Sequence, residues 1–261
     1  MQENGSSFYK LGMLSKSQIS FIKSLHQKKY RKENKIFIIE GIKSITEFIS
    51  SAYQIHSIYY LAQYQSLLPQ LPANIKLFEV NNADLDKISA LQAPQGILAL
   101  VKIPEGTDIE TLNLKNKFSL VLDGIQDPGN LGTIIRTADW FGFENIICSL
   151  NTVEIYNPKT VQATMGSLCR VNVIYDDLRL FLKQSDLPVF GAMLSGKSLY
   201  EVNWGKEGLI ILGNEGQGVS EEIAKFITQP VTIPRVGGAE SLNVAISAAI
   251  LCSDISRNLH K

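Results

Sequence analysis

In the second half of the chain, short apolar runs end three times in a polar, glycine-containing loop that leads into a helix. The run 209–212 is continuously apolar, and 118–122 and 231–233 are largely apolar, as expected of strands that are buried on both faces. Helical segments separate the strands along the chain. That alternation predicts an α/β domain with a mostly parallel sheet and helices on both sides.

A smaller version of the alternation precedes this domain. Four short strands and intervening helices predict a small α/β domain over residues 36–101. Residues 1–35 are expected to form a basic helical segment, with a helix at 15–29. Residues 102–116 contain one proline, one glycine and mixed polar residues, which predicts a linker. The larger α/β domain then occupies 117–261.

The charge of the chain is unevenly distributed. The whole chain has 25 basic and 25 acidic residues, so its net charge gives no indication of a nucleic-acid partner. Residues 1–43, however, hold nine Lys or Arg and three Glu, which makes this segment a candidate contact for a polyanion. The alternative is a solvated, lysine-rich helix face. An apolar content of 45% excludes a disordered chain.

Cysteine usage and hydropathy bear on the environment of the protein. The three cysteines, Cys148, Cys169 and Cys252, are far apart and show no metal-ligand spacing, so we expect no metal site and a reduced compartment. The polar first residues do not resemble a secretory signal, and no apolar run is long enough to span a bilayer. We therefore expect a soluble, cytoplasmic protein with no membrane partner.

The first loop, residues 123–136, lies between a strand and a helix, where ligands bind in open α/β sheets. Asn130 is placed to cap the helix after the turn at 128–129. Arg136 lies less than two turns into that helix, where its charge opposes the helix dipole, and a bound anion would account for it. A capped helix with an incidental surface arginine is the alternative.

The second loop, residues 213–220, has three glycines but fits neither the dinucleotide nor the P-loop fingerprint. Its glycines permit close approach of a ligand to the backbone, although a tight strand–helix turn is an equal alternative. In the third loop, residues 233–245, Ser241 is expected to cap the last helix and Asn243 to lie in its first turn. A capped helix that only packs against the domain is an equal alternative. Because all three loops follow strands, they are expected to converge on one crevice.

Taken together, the three loops resemble the SpoU (TrmH) family of RNA ribose methyltransferases in the SPOUT superfamily. The order, spacing and strand–loop–helix context of three motifs agree with that family, over about 117–261. The matching residues are Asn130, Gly132 and Arg136 in the first motif, Gly213, Asn214, Glu215 and Gly216 in the second, and Ser241, Leu242 and Asn243 in the third. Residues 36–101 resemble, more loosely, the small substrate-binding domain that precedes the catalytic domain in many members.

The resemblance implies a domain whose C-terminal part threads into a trefoil knot, a rare exception to the usual topology rules. It also implies S-adenosylmethionine as cofactor, a homodimer, and an active site near the subunit interface. The residues expected to line the cofactor are Gly213, Asn214, Gly216, Ile233, Leu242, Met193, Leu194 and Ser195. The implied reaction is attack of a ribose 2′-hydroxyl on the sulfonium methyl group, with ribosomal RNA favoured over transfer RNA as substrate.

The residues expected to carry this reaction are Arg136, Asn130, Glu215, Ser241 and Asn243. Arg136 either grips a phosphate and lowers the pKa of the hydroxyl, or takes the proton itself. Glu215 is a candidate carboxylate partner for that arginine, and the two asparagines are candidates for orienting it or the hydroxyl. With RNA as substrate, the basic segment becomes a stronger candidate for contacting phosphates. The residues expected to make these contacts are Lys28, Lys29, Arg31, Lys32 and Lys35.

Other functions stay open at this point. The chain could act on transfer RNA, or keep the fold as a non-catalytic RNA-binding factor in ribosome assembly. A small-molecule nucleotide enzyme is disfavoured because neither nucleotide fingerprint is present. We expect Trp140 and Phe141 to lie in the core, and the three histidines to have surface or structural roles.

Overall fold

The computed structural model describes residues 13–72, 74–106 and 109–260. The start of the predicted basic segment and two residues of the predicted linker lie outside the described residues. The first part of the chain contains α1 Lys16–Ser24, α2 Lys28–Asn34, β1 Ile36–Glu40, α3 Ile42–Ile49, β2 Ile55–Tyr60, β3 Lys76–Glu79, α4 Asn82–Ile88 and β4 Ile97–Lys102. The second part contains β5 Phe118–Asp123, α5 Pro128–Phe141, β6 Asn145–Ser149, α6 Pro158–Thr164, β7 Asn172–Asp176, α7 Leu178–Gln184, β8 Val189–Ser198, β9 Gly208–Gly213, α8 Glu221–Ala224, β10 Gln229–Thr232 and α9 Val244–Leu259.

The chain divides into two compact units. The first comprises residues up to 105 together with 156–169, and the second comprises 106–155 and 170–261. The short excursion at 156–169, which contains α6, therefore packs with the first unit: Tyr156 contacts Phe37 of β1, with ring centroids 4.6 Å apart. This return of the chain has no counterpart in the predicted linear order of domains.

The first unit is built on a mixed four-stranded sheet in the order β1-β4-β2-β3. β4 runs antiparallel to both of its neighbours, whereas β2 and β3 are parallel. Every residue of β4 except its last is buried, because this strand is central and covered on both faces. A core of aliphatic residues from α1, α4 and the sheet, including Ile22, Leu85 and Leu98, packs on one side.

The helix predicted at 15–29 is interrupted. α1 ends at a C-cap on Leu25, and α2 begins after Gln27. The carbonyls of Leu25 and His26 accept hydrogen bonds of 2.9 Å from the Arg31 guanidinium, which is 2% exposed. Arg31 therefore satisfies backbone groups that the interruption leaves without helical partners. Its expected place among the RNA-contacting residues is wrong in this structure, because the side chain is buried.

The second unit contains a six-stranded sheet in the order β10-β8-β9-β5-β6-β7, in which every neighbouring pair is parallel. The predicted α/β fold with a mostly parallel sheet is confirmed. β5, β6 and all of β9 except its last residue are buried, in agreement with their largely apolar sequences. The trefoil knot stays a prediction.

One core prediction is wrong. Trp140 on α5 is 83% exposed, and Phe141 is only partly buried. The inward face of α5 is formed instead by Leu131, Ile134, Ile135 and Ala138, so Trp140 falls on the opposite face. Within the described residues, no helix is long and apolar enough to cross a membrane.

Candidate active site

Sheet order brings the predicted loops to one edge of the second unit. β5, β9, β8 and β10 are consecutive in the sheet and parallel, so the loops that follow them share its carboxyl edge. Asp123, which ends β5, lies opposite Gly213, which ends β9. The first and second loops therefore start side by side.

Two hydrogen bonds join these loops at their start. The Asp123 carboxylate accepts from the Ser220 N–H at 2.8 Å, and the Asn214 amide donates to the Gly124 carbonyl at 2.8 Å. Gly213 needs to be glycine, because a Cβ there would collide with the backbone of Gly218 and Val219. The second loop therefore folds back tightly on itself beside the first.

The Asn214 side chain also shapes the second loop from within. Its carbonyl oxygen accepts from the N–H groups of Gly216 and Gln217 at 2.9 and 3.2 Å, which is an Asx turn. Backbone hydrogen bonds of 2.9 Å run in both directions between Asn214 and Gly218. This geometry holds Glu215 at the tip of a rigid turn.

Glu215 connects the second loop to the first. Its carboxylate accepts from the Asn130 amide at 3.0 Å and, at 3.4 Å each, from the backbone N–H groups of Gln126 and Asp127. Partial burial raises the pKa of Glu215, but these hydrogen bonds outweigh it, and the pKa lies below its ordinary value. Glu215 is therefore held as a carboxylate.

Asn243 extends the network to the third loop. Its amide donates to the Asn130 side-chain carbonyl at 2.9 Å, and its own carbonyl accepts from the N–H of Ala245 at 2.9 Å. Both ends of the Asn130 amide are thus engaged, one by Glu215 and one by Asn243. Three loops that are far apart in sequence are joined by three side chains.

The predicted helix caps differ from those observed. Asp127, and not Asn130, is the N-cap of α5, and it accepts from the Asn130 N–H at 2.8 Å. Asn243, and not Ser241, is the N-cap of α9, and Ser241 lies exposed in the loop. Each cap lies immediately before its helix, where an Asx carbonyl oxygen reaches the free N–H groups. Freed from capping, the Asn130 side chain is available to the network.

Arg136 is exposed on α5. Among the described residues, none forms a hydrogen bond or ion pair with its guanidinium. The expected pairing with Glu215 is wrong, because that carboxylate is engaged by Asn130 and the backbone of the first loop. The cation is therefore left free to bind an anion from outside the chain.

The residues expected at the cofactor lie along the same edge. Met193–Ser195 belong to β8, which pairs with β10 immediately before Ile233. Leu194 is 81% exposed and Leu242 is 48% exposed. Exposed apolar side chains of this kind suit a partly apolar ligand. Residues 13–72, 74–106 and 109–260 contain no metal-ligating cluster of three residues.

Comparison with known proteins identifies the family. The family model of the SpoU rRNA methylases matches residues 117–253, and that of the MRM3-like substrate-binding domain matches residues 16–99. The chain belongs to the SpoU rRNA methylase family. The 23S rRNA (guanosine(2553)-2′-O)-methyltransferase RlmP of Bacillus subtilis is 33% identical over 88% of this chain and 92% of its own length.

Solved structures of SpoU methylase relatives agree over both units. A TrmH-family protein from Porphyromonas gingivalis superposes with a TM-score of 0.85 at 36% identity, covering 95% of this chain and all of that one. An AdoMet-bound rRNA methyltransferase from Sinorhizobium meliloti gives a TM-score of 0.86 at 28% identity, covering 96% and 98%. This chain is thus a SpoU methylase with a preceding α/β unit.

Sequence reasoning missed two groups in this SpoU site. Asp127 is not among the predicted caps, although Asp followed by Pro at a helix start is a recognisable capping signal. Gln126 was not singled out, yet its amide donates to the Asn151 and Gly124 carbonyls at 2.7 and 3.2 Å and fixes the first loop. No pattern in the sequence indicates that pairing.

Proposed function

We propose that this chain transfers the methyl group of S-adenosylmethionine to a ribose 2′-hydroxyl of ribosomal RNA. The observation that carries the proposal is the network Glu215–Asn130–Asn243, which joins the three loops and leaves Arg136 of α5 unpaired among the described residues. The relatives support it, because they include a named 23S rRNA 2′-O-methyltransferase and an AdoMet-bound rRNA methyltransferase.

When bound, S-adenosylmethionine supplies an electrophilic methyl group on its sulfonium. Gly213, Leu242 and the 193–195 strand are the groups proposed to hold it. Arg136 is proposed to anchor the RNA, because a guanidinium stays protonated and is a poor base. Its positive charge beside the 2′-hydroxyl favours loss of the hydroxyl proton, and its fork matches a neighbouring phosphate.

Asn130 is proposed as a positioning residue. Both ends of its amide are engaged within the protein, so it is proposed to hold the starts of α5 and α9 in register. Glu215 and Asn243 share this positioning role. Ser241 is exposed and outside the network, which leaves it free to contact the cofactor or the RNA.

Ribosomal RNA is preferred over transfer RNA for a structural reason. A structure concerned with 2-OH methylation of C/U34 on tRNA matches only 56% of this chain, although the match includes 92% of that protein. The rRNA methyltransferase from Sinorhizobium meliloti matches 96%. The first unit, proposed here as the RNA substrate-binding part, is therefore shared with the rRNA enzyme.

A homodimer is proposed from the exposed face of α5 and α9. Tyr200 and Ile246, which are 68% and 51% exposed, line a groove of about 510 Å³ together with Phe141, and the neighbouring Trp140 is 83% exposed. Exposed apolar side chains around a groove are typical of a protein interface. Arg136 lies one helical turn before Trp140 on the same face of α5, so a second copy bound there would lie beside the site. An RNA substrate also agrees with the cytoplasmic location predicted above.

The test is transfer of labelled methyl from S-adenosylmethionine to unmodified ribosomal and transfer RNA, assayed separately, followed by nucleoside analysis. Label in a 2′-O-methylated nucleoside of ribosomal RNA is expected. Label only in transfer RNA would overturn the substrate class. Cofactor binding without transfer to intact ribosomes, subunits or naked RNA would favour the non-catalytic alternative.

A further inference from the structure

The first unit carries a row of basic side chains along one end of its sheet. Lys35 immediately precedes β1, Lys102 ends β4, His56 lies at the start of β2, and Lys76 begins β3. Because β4 is antiparallel to its neighbours, its end lies beside the beginnings of β1 and β2. Four positions from four segments of the chain therefore share one end of the sheet.

Backbone contacts confirm that these positions are adjacent. The Ile103 N–H donates to the Lys35 carbonyl at 2.8 Å, and Ile36 pairs with Lys102. Burial lowers the pKa of His56, and the charges of Lys76 and Lys102 lower it further, which requires both ammonium groups to be near. The histidine therefore lies among cations and stays neutral at pH 7.

The three lysines are exposed and have no acidic partner. Among the described residues, no ion pair involves Lys35, Lys76 or Lys102, and the ammonium of Lys102 donates only to the neutral Gln54 side chain at 3.3 Å. The register between β2 and β4 shifts between Ile55 and Ser57, at a β-bulge or similar irregularity that contains His56. Bulges redirect side chains at sheet ends and are common beside functional surfaces.

The length of the row indicates the class of ligand. From β1 to β3 it crosses three strand spacings, which is about 14 Å at about 4.8 Å each. One small anion cannot contact both ends of such a row, whereas successive phosphates of a nucleic-acid strand can. Contacts between lysines and phosphates do not depend on base sequence, so such a row would bind a strand of any sequence.

We propose that Lys76, His56 and Lys102, continued by Lys35, form a binding row for the RNA phosphate backbone. This inference rests on the proposed function and adds a surface to it. The row is formed by side chains from the sheet of the first unit, and it is distinct from the α2 residues Lys28, Lys29 and Lys32. Lys76 and Lys102 supply the charge, and the His56 imidazole offers a neutral hydrogen-bonding group between them.

The test compares the full-length protein with the double variant Lys76→Glu/Lys102→Glu. The probe is a fluorescein-labelled 20-nucleotide oligouridylate, with binding followed by anisotropy between 50 and 200 mM salt. Loss of two phosphate contacts at about 0.7 each is expected to reduce the slope of log affinity against log salt by about 1.4. The matched control, Lys183→Glu/Lys206→Glu, makes the same change in net charge on exposed residues of the second unit.

Circular dichroism and a urea midpoint close to those of the wild type establish that both double variants fold. A salt slope unchanged in Lys76→Glu/Lys102→Glu, or reduced equally in the control, overturns the inference. Methyl transfer by the wild type separates the two proposals. If the wild type methylates ribosomal RNA while the slope is unchanged, only the binding row is wrong. A reduced slope without methyl transfer supports the row and contradicts the proposed function.

Discussion

Each unit of this chain uses a carboxylate to hold a loop beyond a strand end, but the two carboxylates lie in opposite settings. Glu40 ends β1 and is 4% exposed, and it accepts from the Ser89 hydroxyl at 2.6 Å and the Ala90 N–H at 2.8 Å. Glu215 is exposed and accepts from Asn130 and two backbone N–H groups. The contacts of Glu40 are part of a buried core, and those of Glu215 are part of a surface network.

The electrostatic consequences also differ. Burial raises the pKa of Glu40 although its hydrogen bonds oppose the change, whereas hydrogen bonding lowers the pKa of Glu215 although burial opposes it. A buried carboxylate costs desolvation and contributes by satisfying groups that would otherwise be unpaired. An exposed one contributes little to stability and can instead fix the geometry of a site. The comparison therefore separates residues that maintain the fold from residues that arrange the reaction.

The largest effect is expected on the reaction side, from Arg136→Ala. Removing one charged group that stabilises the transition state is expected to lower the methyl-transfer rate by about 10² to 10³ fold. The affinity for S-adenosylmethionine, measured by calorimetry, is expected to stay nearly unchanged. The control is Arg179→Ala, which removes an exposed arginine of α7 that is ion-paired with Asp177. Loss of cofactor binding in Arg136→Ala would contradict the anchoring role.

Replacing Glu40 or Glu215 by alanine is expected to have opposite effects on stability and on the methyl-transfer rate. Glu40→Ala leaves the Ser89 hydroxyl and the Ala90 N–H without their partner in a buried place, which is expected to cost about 1–3 kcal/mol of unfolding free energy. Its methyl-transfer rate is expected to be retained while the protein is folded. Glu215→Ala is expected to cost less than about 1 kcal/mol but to lower the rate about tenfold or more. Urea unfolding and rate measurements on both variants check this, and the reverse pattern would abolish the distinction.

Asn243 allows the cap to be separated from the network. Asn243→Ala removes both the cap of α9 and the donor to Asn130, and is expected to cost about 1 kcal/mol of stability. Asn243→Asp keeps a capping oxygen and removes only the donor, so stability is expected to change by a few tenths of a kcal/mol or less. Both variants are expected to lose methyl-transfer rate. If Asn243→Asp were as active as the wild type, the hydrogen bond to Asn130 would have no role in the reaction.

The smallest effect is a pair of pH dependences with opposite signs. The folded pKa of Glu40 is raised above 4.5, so its contribution to stability is fully present below pH 4.5 and is lost as the pH rises through the folded value. The folded pKa of Glu215 is lowered below 4.5, so its contribution to stability is present above pH 4.5 and is lost as the pH falls through the folded pKa. Urea unfolding of Glu40→Gln and Glu215→Gln between pH 3.5 and 7 measures both against the wild type. If the stability contributions of both carboxylates changed in the same direction with pH, burial would not distinguish Glu40 from Glu215.

The sequence predicted most elements because apolar runs and glycine loops are local signals. Most of the described strands and helices follow that pattern, and so do the three loops at the carboxyl edge. The interruption between α1 and α2 was not predictable, because it depends on the buried Arg31 guanidinium reaching carbonyls five and six residues earlier. The packing of 156–169 with the first unit depends on contacts between Tyr156 and residues more than 100 positions away.

The residues of the site were predictable from the sequence, but the hydrogen bonds between them were not. Asn130, Glu215 and Asn243 were identified by their motifs, but the pairing of Glu215 with Asn130, 85 positions away, is a property of the fold. The expected pairing of Glu215 with Arg136 was a reasonable opposite-charge match, and it failed because backbone N–H groups already occupy the carboxylate. The cap of α5 differs from the predicted one because Asp127 lies nearer the first helical N–H groups than Asn130 does.

A double-mutant cycle tests the central claim, that three loops act as one network through Asn130. The methyl-transfer rate on ribosomal RNA is measured for the wild type, Glu215→Ala, Asn243→Asp and the double variant. Because both residues act through the same amide, the double variant is expected to be about as slow as the slower single variant. Losses that simply multiply would show that Glu215 and Asn243 act independently, and would contradict the account.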